Sequence, residues 1–114
     1  MRKLILTALL SAAATALLCM YLPPGERLLD NKRVTVTRVS YEPGAPRERY
    51  IRPTDQVIVF LDDCEYDRID SQTKEKTIRK RKSGDAIWHD KGEDAPVLIN
   101  RGAKAFRTAV IEIK

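Results

Sequence analysis

The sequence predicts an all-β domain, a sandwich or barrel, preceded by an apolar N-terminal helix. Three observations carry this expectation. From Val34 onward apolar residues follow a period of two. Gly, Pro and Asp turns cut the chain into short segments at close spacing, and no stretch of this part sustains an apolar stripe of period 3.6. At 114 residues the chain holds one domain at most.

The elements follow in order. Met1-Arg2-Lys3 is a short basic start, and Leu4 to Leu22 carries no charge. This is the pattern of an export leader, and it has two outcomes. Ala14-Thr15-Ala16 fits a small-x-small cleavage site after the Leu4–Leu10 apolar run. Alternatively, the 19 uncharged residues span the membrane as a helix, with Tyr21 at the headgroups and Pro23-Pro24-Gly25 as the stop. Lipidation at Cys19 is disfavoured by the bulky Leu18 before it. Residues 1–22 are therefore expected to be an export signal or membrane anchor, 23–31 a linker, and 32–114 the domain.

Within the domain, Val34, Val36 and Arg38 share one face of a strand, and Thr35, Thr37 and Val39 the other. Glu42 to Pro46 is a turn. Gln56 to Leu61 has apolar residues on both faces, as a central covered strand does. Its outer cover is expected from the strand around Val34–Val39 or from a second subunit in a homodimer. Glu65–Ile69 and Lys76–Lys82 form a hairpin about Asp70-Ser71-Gln72-Thr73. Ser83-Gly84-Asp85, Asp90 to Glu93 and Arg101-Gly102 are further turns. They separate strands at Ala86–Trp88, Pro96–Ile99 and Ala105–Ile113.

Two segments, PGAPRERYIRPTDQVIVFLDD and SGDAIWHDKGEDAPVLINRG, resemble the paired signature motifs of the cupins. The likeness runs from Tyr41 to Ile113 and implies a small double-stranded β-barrel of jelly-roll type. In metal-binding cupins three histidines and a glutamate hold a divalent ion inside the barrel. Counting from Gly44, this chain places Tyr50 and Arg52 at the first two histidines and Gln56 at the glutamate. Ala95 or Pro96 stands at the last histidine, while Asn100 and Gly102 match the closing Asn-x-Gly turn. The scaffold signature is present and the ligand set is not. A guanidinium has no lone pair to donate and repels a cation. No metal or other cofactor is therefore expected; an exported, non-enzymatic ligand-binding domain is favoured, a structural or interaction module acting through a cupin dimer comes second, and a degenerate metal-dependent enzyme third.

If the cupin register holds, Tyr50, Arg52, Gln56, Ile58 and Phe60 line the barrel. The candidate ligand-binding residues are then Tyr50, Arg52 and Gln56. Arg52 would anchor a small anionic or polyhydroxy ligand, and the other two would orient it. The competing expectation is that Arg52 pairs internally with Asp55, Glu65 or Glu93 and the barrel is filled. Arg79 and Arg81 favour the pocket if they point inward and serve as edge protection if they do not. No catalytic residue is assigned. Ser40, Ser71 and Ser83 lie in or beside turns, and Asp62-Asp63 point to opposite faces. His89, the only histidine, is expected to be a packed or surface residue.

Charge and cysteine content narrow the partners. Without Arg2 and Lys3 the domain has 19 basic and 16 acidic side chains, a net of +3 with the signs interspersed. That is no nucleic-acid footprint. Cys64 is alone in the domain and is expected to be a semi-buried structural residue. The leader gives the first prediction. If it is an anchor, the intact chain stays in the membrane fraction through high-salt and alkaline washing. Recovery of soluble protein beginning near Leu17 would establish cleavage instead.

Overall fold

A computed structural model describes residues 25–114, and the expected N-terminal helix lies outside them. The described residues form eleven strands and no helix. These are β1 (Gly25–Asp30), β2 (Val34–Tyr41), β3 (Pro46–Arg47), β4 (Tyr50–Ile51), β5 (Asp55–Phe60) and β6 (Cys64–Ile69). They continue with β7 (Lys76–Arg81), β8 (Ala86–His89), β9 (Asp94–Ala95), β10 (Val97–Asn100) and β11 (Phe106–Ile113). Five strands in the order β1-β2-β11-β5-β8 make one sheet, and β3-β10-β6-β7 make the other. The two-residue strands β4 and β9 pair with each other, Tyr50 opposite Ala95. Every strand pairing is antiparallel. This is the expected jelly-roll barrel.

The alternation read from the sequence sets which side chains turn inward. Along β5, Gln56, Ile58 and Phe60 are buried, and Asp55, Val57 and Val59 are half-buried. Tyr41, Phe60, Tyr66 and Phe106 bring one ring each from β2, β5, β6 and β11 into a common core, with Ile58 and Leu98 beside them. Phe106 stacks on Tyr41 at 4.9 Å and on Tyr66 at 6.0 Å between centroids. These contacts join the two sheets. Asn100, 2 % exposed, secures the turn after β10. Its Nδ2 donates to the carbonyls of Tyr41 (2.9 Å) and Lys104 (2.8 Å), and its Oδ1 accepts from the Gly102 N–H at 2.8 Å.

Two expectations are corrected. Residues 25–30 of the expected linker are a strand, β1, paired with β2 through a register shift between Arg27 and Leu29. All six residues are exposed, so no alternation of burial marked them in the sequence. The outer face of β5 is also not covered by the Val34–Val39 strand. β11 lies between the two, in register with both. Instead the outer face carries an apolar row across all five strands: Leu29, Val36, Ile111, Val57 and Trp88 stand opposite one another in turn. Leu29 is 49 % and Trp88 52 % exposed.

Candidate functional site

A cavity of about 290 Å³ opens inside the barrel. Its apolar wall is built from Tyr41, Phe60, Tyr66 and Phe106 together with Ile58, Ile87 and Leu98. Five guanidinium groups also line it, from Arg47, Arg52, Arg68, Arg79 and Arg81. Among the described residues two carboxylates, Glu93 and Asp94, are the only acids in the lining. Both are engaged elsewhere. Glu93 Oε2 lies 2.8 Å from His89 Nδ1, and Asp94 pairs with Arg49 and accepts from Ser71.

Arg52 occupies the connection between β4 and β5, where Pro53 ends the first strand and cannot donate to a ladder. Its backbone is held on both sides: its N–H donates to the Glu93 carbonyl and its carbonyl accepts from Gly92, each at 2.9 Å. Gly92 turns there at φ 88°, a conformation most side chains avoid. Arg52 as a residue is 4 % exposed. Nη1 donates to Gln56 Oε1 at 2.9 Å and to Tyr50 Oη at 3.3 Å, while Nε is buried without a protein partner. Desolvation lowers its pKa, and the nearby Tyr50 and Glu93 oppose that.

The competing expectation for Arg52 is not met. Among the described residues it makes no ion pair. Asp55 accepts from the Lys91 N–H, Glu65 faces Arg101 at 3.8 Å, and Glu93 is taken by His89. Of the three candidate residues, Arg52 alone lines the cavity. Gln56, 1 % exposed, and half-buried Tyr50 hold its guanidinium rather than meeting the cavity themselves. The Tyr50 ring lies 5.4 Å from the Arg47 guanidinium and 5.7 Å from that of Arg52. Arg47, 6 % exposed, donates from Nη2 to the Pro96 carbonyl, and its Nε also lacks a protein partner.

Arg79 and Arg81 do face the cavity. The β6–β7 register sets Arg79 opposite Tyr66, Arg81 opposite Cys64 and Arg68 opposite Thr77. Alternation then places all three arginines on the face that carries Tyr66 into the core. Arg81 lies over the Phe60 ring at 5.6 Å, and its Nε donates to Tyr66 Oη at 3.4 Å. Sequence reasoning missed Arg68 and placed His89 in packing or on the surface. His89 sits opposite Gln56 and lines the cavity. Cys64 opens β6 half-buried, and burial pushes its thiol up to about 11, so it stays protonated as a structural residue.

The donor set does not fit a metal ion. Tyr50 Oη and Gln56 Oε1 accept from a guanidinium, and Ala95 and Pro96 have no ligating side chain. Among the described residues no three His, Cys, Asp or Glu side chains gather as a metal site.

No protein-family model matches the sequence, and no curated protein does either. Solved structures do. A cupin domain from Bordetella pertussis Tohama I superposes with a TM-score of 0.71 at 22% identity, over 82% of this chain and 94% of its own. The fold is that of the cupins. A cupin superfamily protein from Desulfitobacterium hafniense gives a TM-score of 0.58 at 14% identity, covering 79% of this chain and 75% of its own. The polyketide cyclase RemF from Streptomyces resistomycificus gives 0.62 at 16%, over 81% and 68%. A fold this widely shared carries no activity by itself, so function in this cupin barrel has to be argued from its own cavity.

The Arg52–Gln56 contact yields a prediction. Gln56→Leu removes the acceptor of a buried cation and is expected to cost about 2 kcal/mol or more in urea unfolding. A variant as stable as the parent would show that the guanidinium has another partner.

Proposed function

We propose that this chain is an exported cupin-fold binding domain whose barrel takes a small anionic ligand, with Arg52 as the central charge anchor. One observation carries the proposal. Five guanidinium groups line one cavity and none has an ion pair among the described residues. Arg47 and Arg52 are buried, Arg68 and Arg81 half-buried and Arg79 exposed, and a buried cation is normally paired because desolvation costs several kcal/mol per ion. Three buried polar atoms of lining residues also lack a protein partner: Arg47 Nε, Arg52 Nε and Thr108 Oγ1. A carboxylate, phosphate or sugar acid would supply the missing charge and acceptors together. Export rests on the leader pattern, and binding without catalysis rests on the lack of a nucleophile or ligand constellation in the sequence.

The test is thermal unfolding with inorganic phosphate, succinate or glucuronate. A ligand at about 100 times its Kd stabilises the native state by about 2.7 kcal/mol. For a domain of this size each kcal/mol raises Tm by about 4–8 °C. At least one of these anions is expected to raise Tm. Arg52→Ala should remove the response, as should Gln56→Glu, which sets a carboxylate against Arg52. If no anion raises Tm and Arg52→Ala merely destabilises, the cations are internal structure and the proposal fails.

A second function has an observation of its own: the apolar row Leu29–Val36–Ile111–Val57–Trp88 runs unbroken across the outer sheet face. We propose that a second copy of the chain covers it in a homodimer, since a twofold axis would set one such row on another. Light scattering is expected to give the mass of a dimer, and Val57→Asp to give that of a monomer. A monomeric parent at tens of micromolar would refute it.

A further inference from the structure

The cavity has more character than a charge sink, and its two ends differ. Arg47 and Arg52 converge on the Tyr50 ring at one end. Arg79 and Arg81 stand two residues apart on the inner face of β7, while Arg68 of β6 lies level with Arg47, both opposite Leu98 of β10. β5 relates the two groups: Gln56 holds Arg52, and Phe60, four residues on, lies under Arg81. Four strand residues span roughly 13 Å. The two carboxylates of the lining are engaged by His89 and Arg49, so the guanidinium groups present more positive charge than one carboxylate offsets.

Beside Arg81 the wall is aromatic. Phe60 and Tyr66 stack with planes 5° apart and centroids 6.1 Å apart, and Phe106 and Tyr41 continue the cluster. Such a wall favours a planar apolar body, and guanidinium groups stack on arene faces as well as binding acids. At about 290 Å³ the cavity sits at the small end of ligand pockets, which suits one or two rings and excludes a larger molecule.

We infer that the ligand is a planar aromatic acid with at least two acidic groups, one held by Arg52 and Arg47 and the other by Arg79 and Arg81. The inference rests on the anion-binding proposal and specifies its substrate class. An acid group at the Arg52 end meets the orphaned Nε groups of Arg47 and Arg52.

Calorimetric titration of the full chain with four probes tests this: a linear naphthalene dicarboxylate, naphthoate, suberate and inorganic phosphate. The dicarboxylate is expected to bind at least about tenfold tighter than naphthoate, which lacks the second acid, and than suberate, which lacks the rings. Arg79→Gln combined with Arg81→Gln should bring the dicarboxylate to the level of naphthoate and leave naphthoate itself unchanged. A dicarboxylate no tighter than suberate, or no tighter than naphthoate, overturns the inference. If suberate or phosphate still binds through Arg52 in that case, anion binding stands and only the aromatic diacid is refuted. If none of the four binds, both fail.

Discussion

Phe106 stands where the two sheets of this barrel meet. It begins β11, whose eight residues pair with all of β2 and whose later part pairs with β5. From that position its ring touches Tyr41, Phe60 and Tyr66, so strands distant in sequence are packed against one side chain that is 2 % exposed. The rest of the interior follows from this contact. It fixes the inward face of β5, and with it Gln56 and Ile58; it fixes the inward face of β6, and with it Arg68. A one-residue slip in β5 would turn the Gln56 amide outward, and one in β6 would turn Arg68 outward.

The polar half of the interior is arranged around cations that folding alone does not neutralise. Gln56 gives Arg52 an acceptor without giving it a counter-charge, and Tyr50 adds a second acceptor and a ring face. Neutral partners of this kind keep a guanidinium in place while leaving its charge available. The acids nearby are tied to His89, Arg49, Lys91 and Arg101 instead. The exposed strand β7 then carries Lys80 between its inward arginines and Lys76 at its start, and such charges on an open edge discourage pairing with another chain.

Much of this was legible from residues alone. Alternation and turn chemistry placed β2, β5, β6, β7, β8, β10 and β11, and the spacing from Gly44 to Gln56 put Arg52 in the barrel. β3, β4 and β9 were not visible, because a two-residue strand has no period to read. β1 was taken for linker because neither of its faces is buried. At the site, the sequence grouped Tyr50, Arg52 and Gln56 correctly as neighbours. It could not show that two of them serve the third. His89 and Arg68 needed the register itself: only the pairing of β8 with β5 puts His89 opposite Gln56, and only the hairpin register puts Arg68 on the face of Tyr66.

The backbone bracket around Arg52 has a thermodynamic consequence. With its N–H bound to Glu93 and its carbonyl bound to Gly92, the residue has lost its main-chain freedom during folding. Its side chain, anchored by Gln56, has lost much of its rotamer freedom as well. A partner arriving at that guanidinium would therefore meet a group already ordered, and association would carry little further entropy loss on the protein side. The Asp90–Glu93 turn never touches the Arg52 guanidinium through its backbone, yet it sets that cost: lengthening the turn by a residue would loosen the bracket and return to each binding event an ordering penalty that folding had already absorbed.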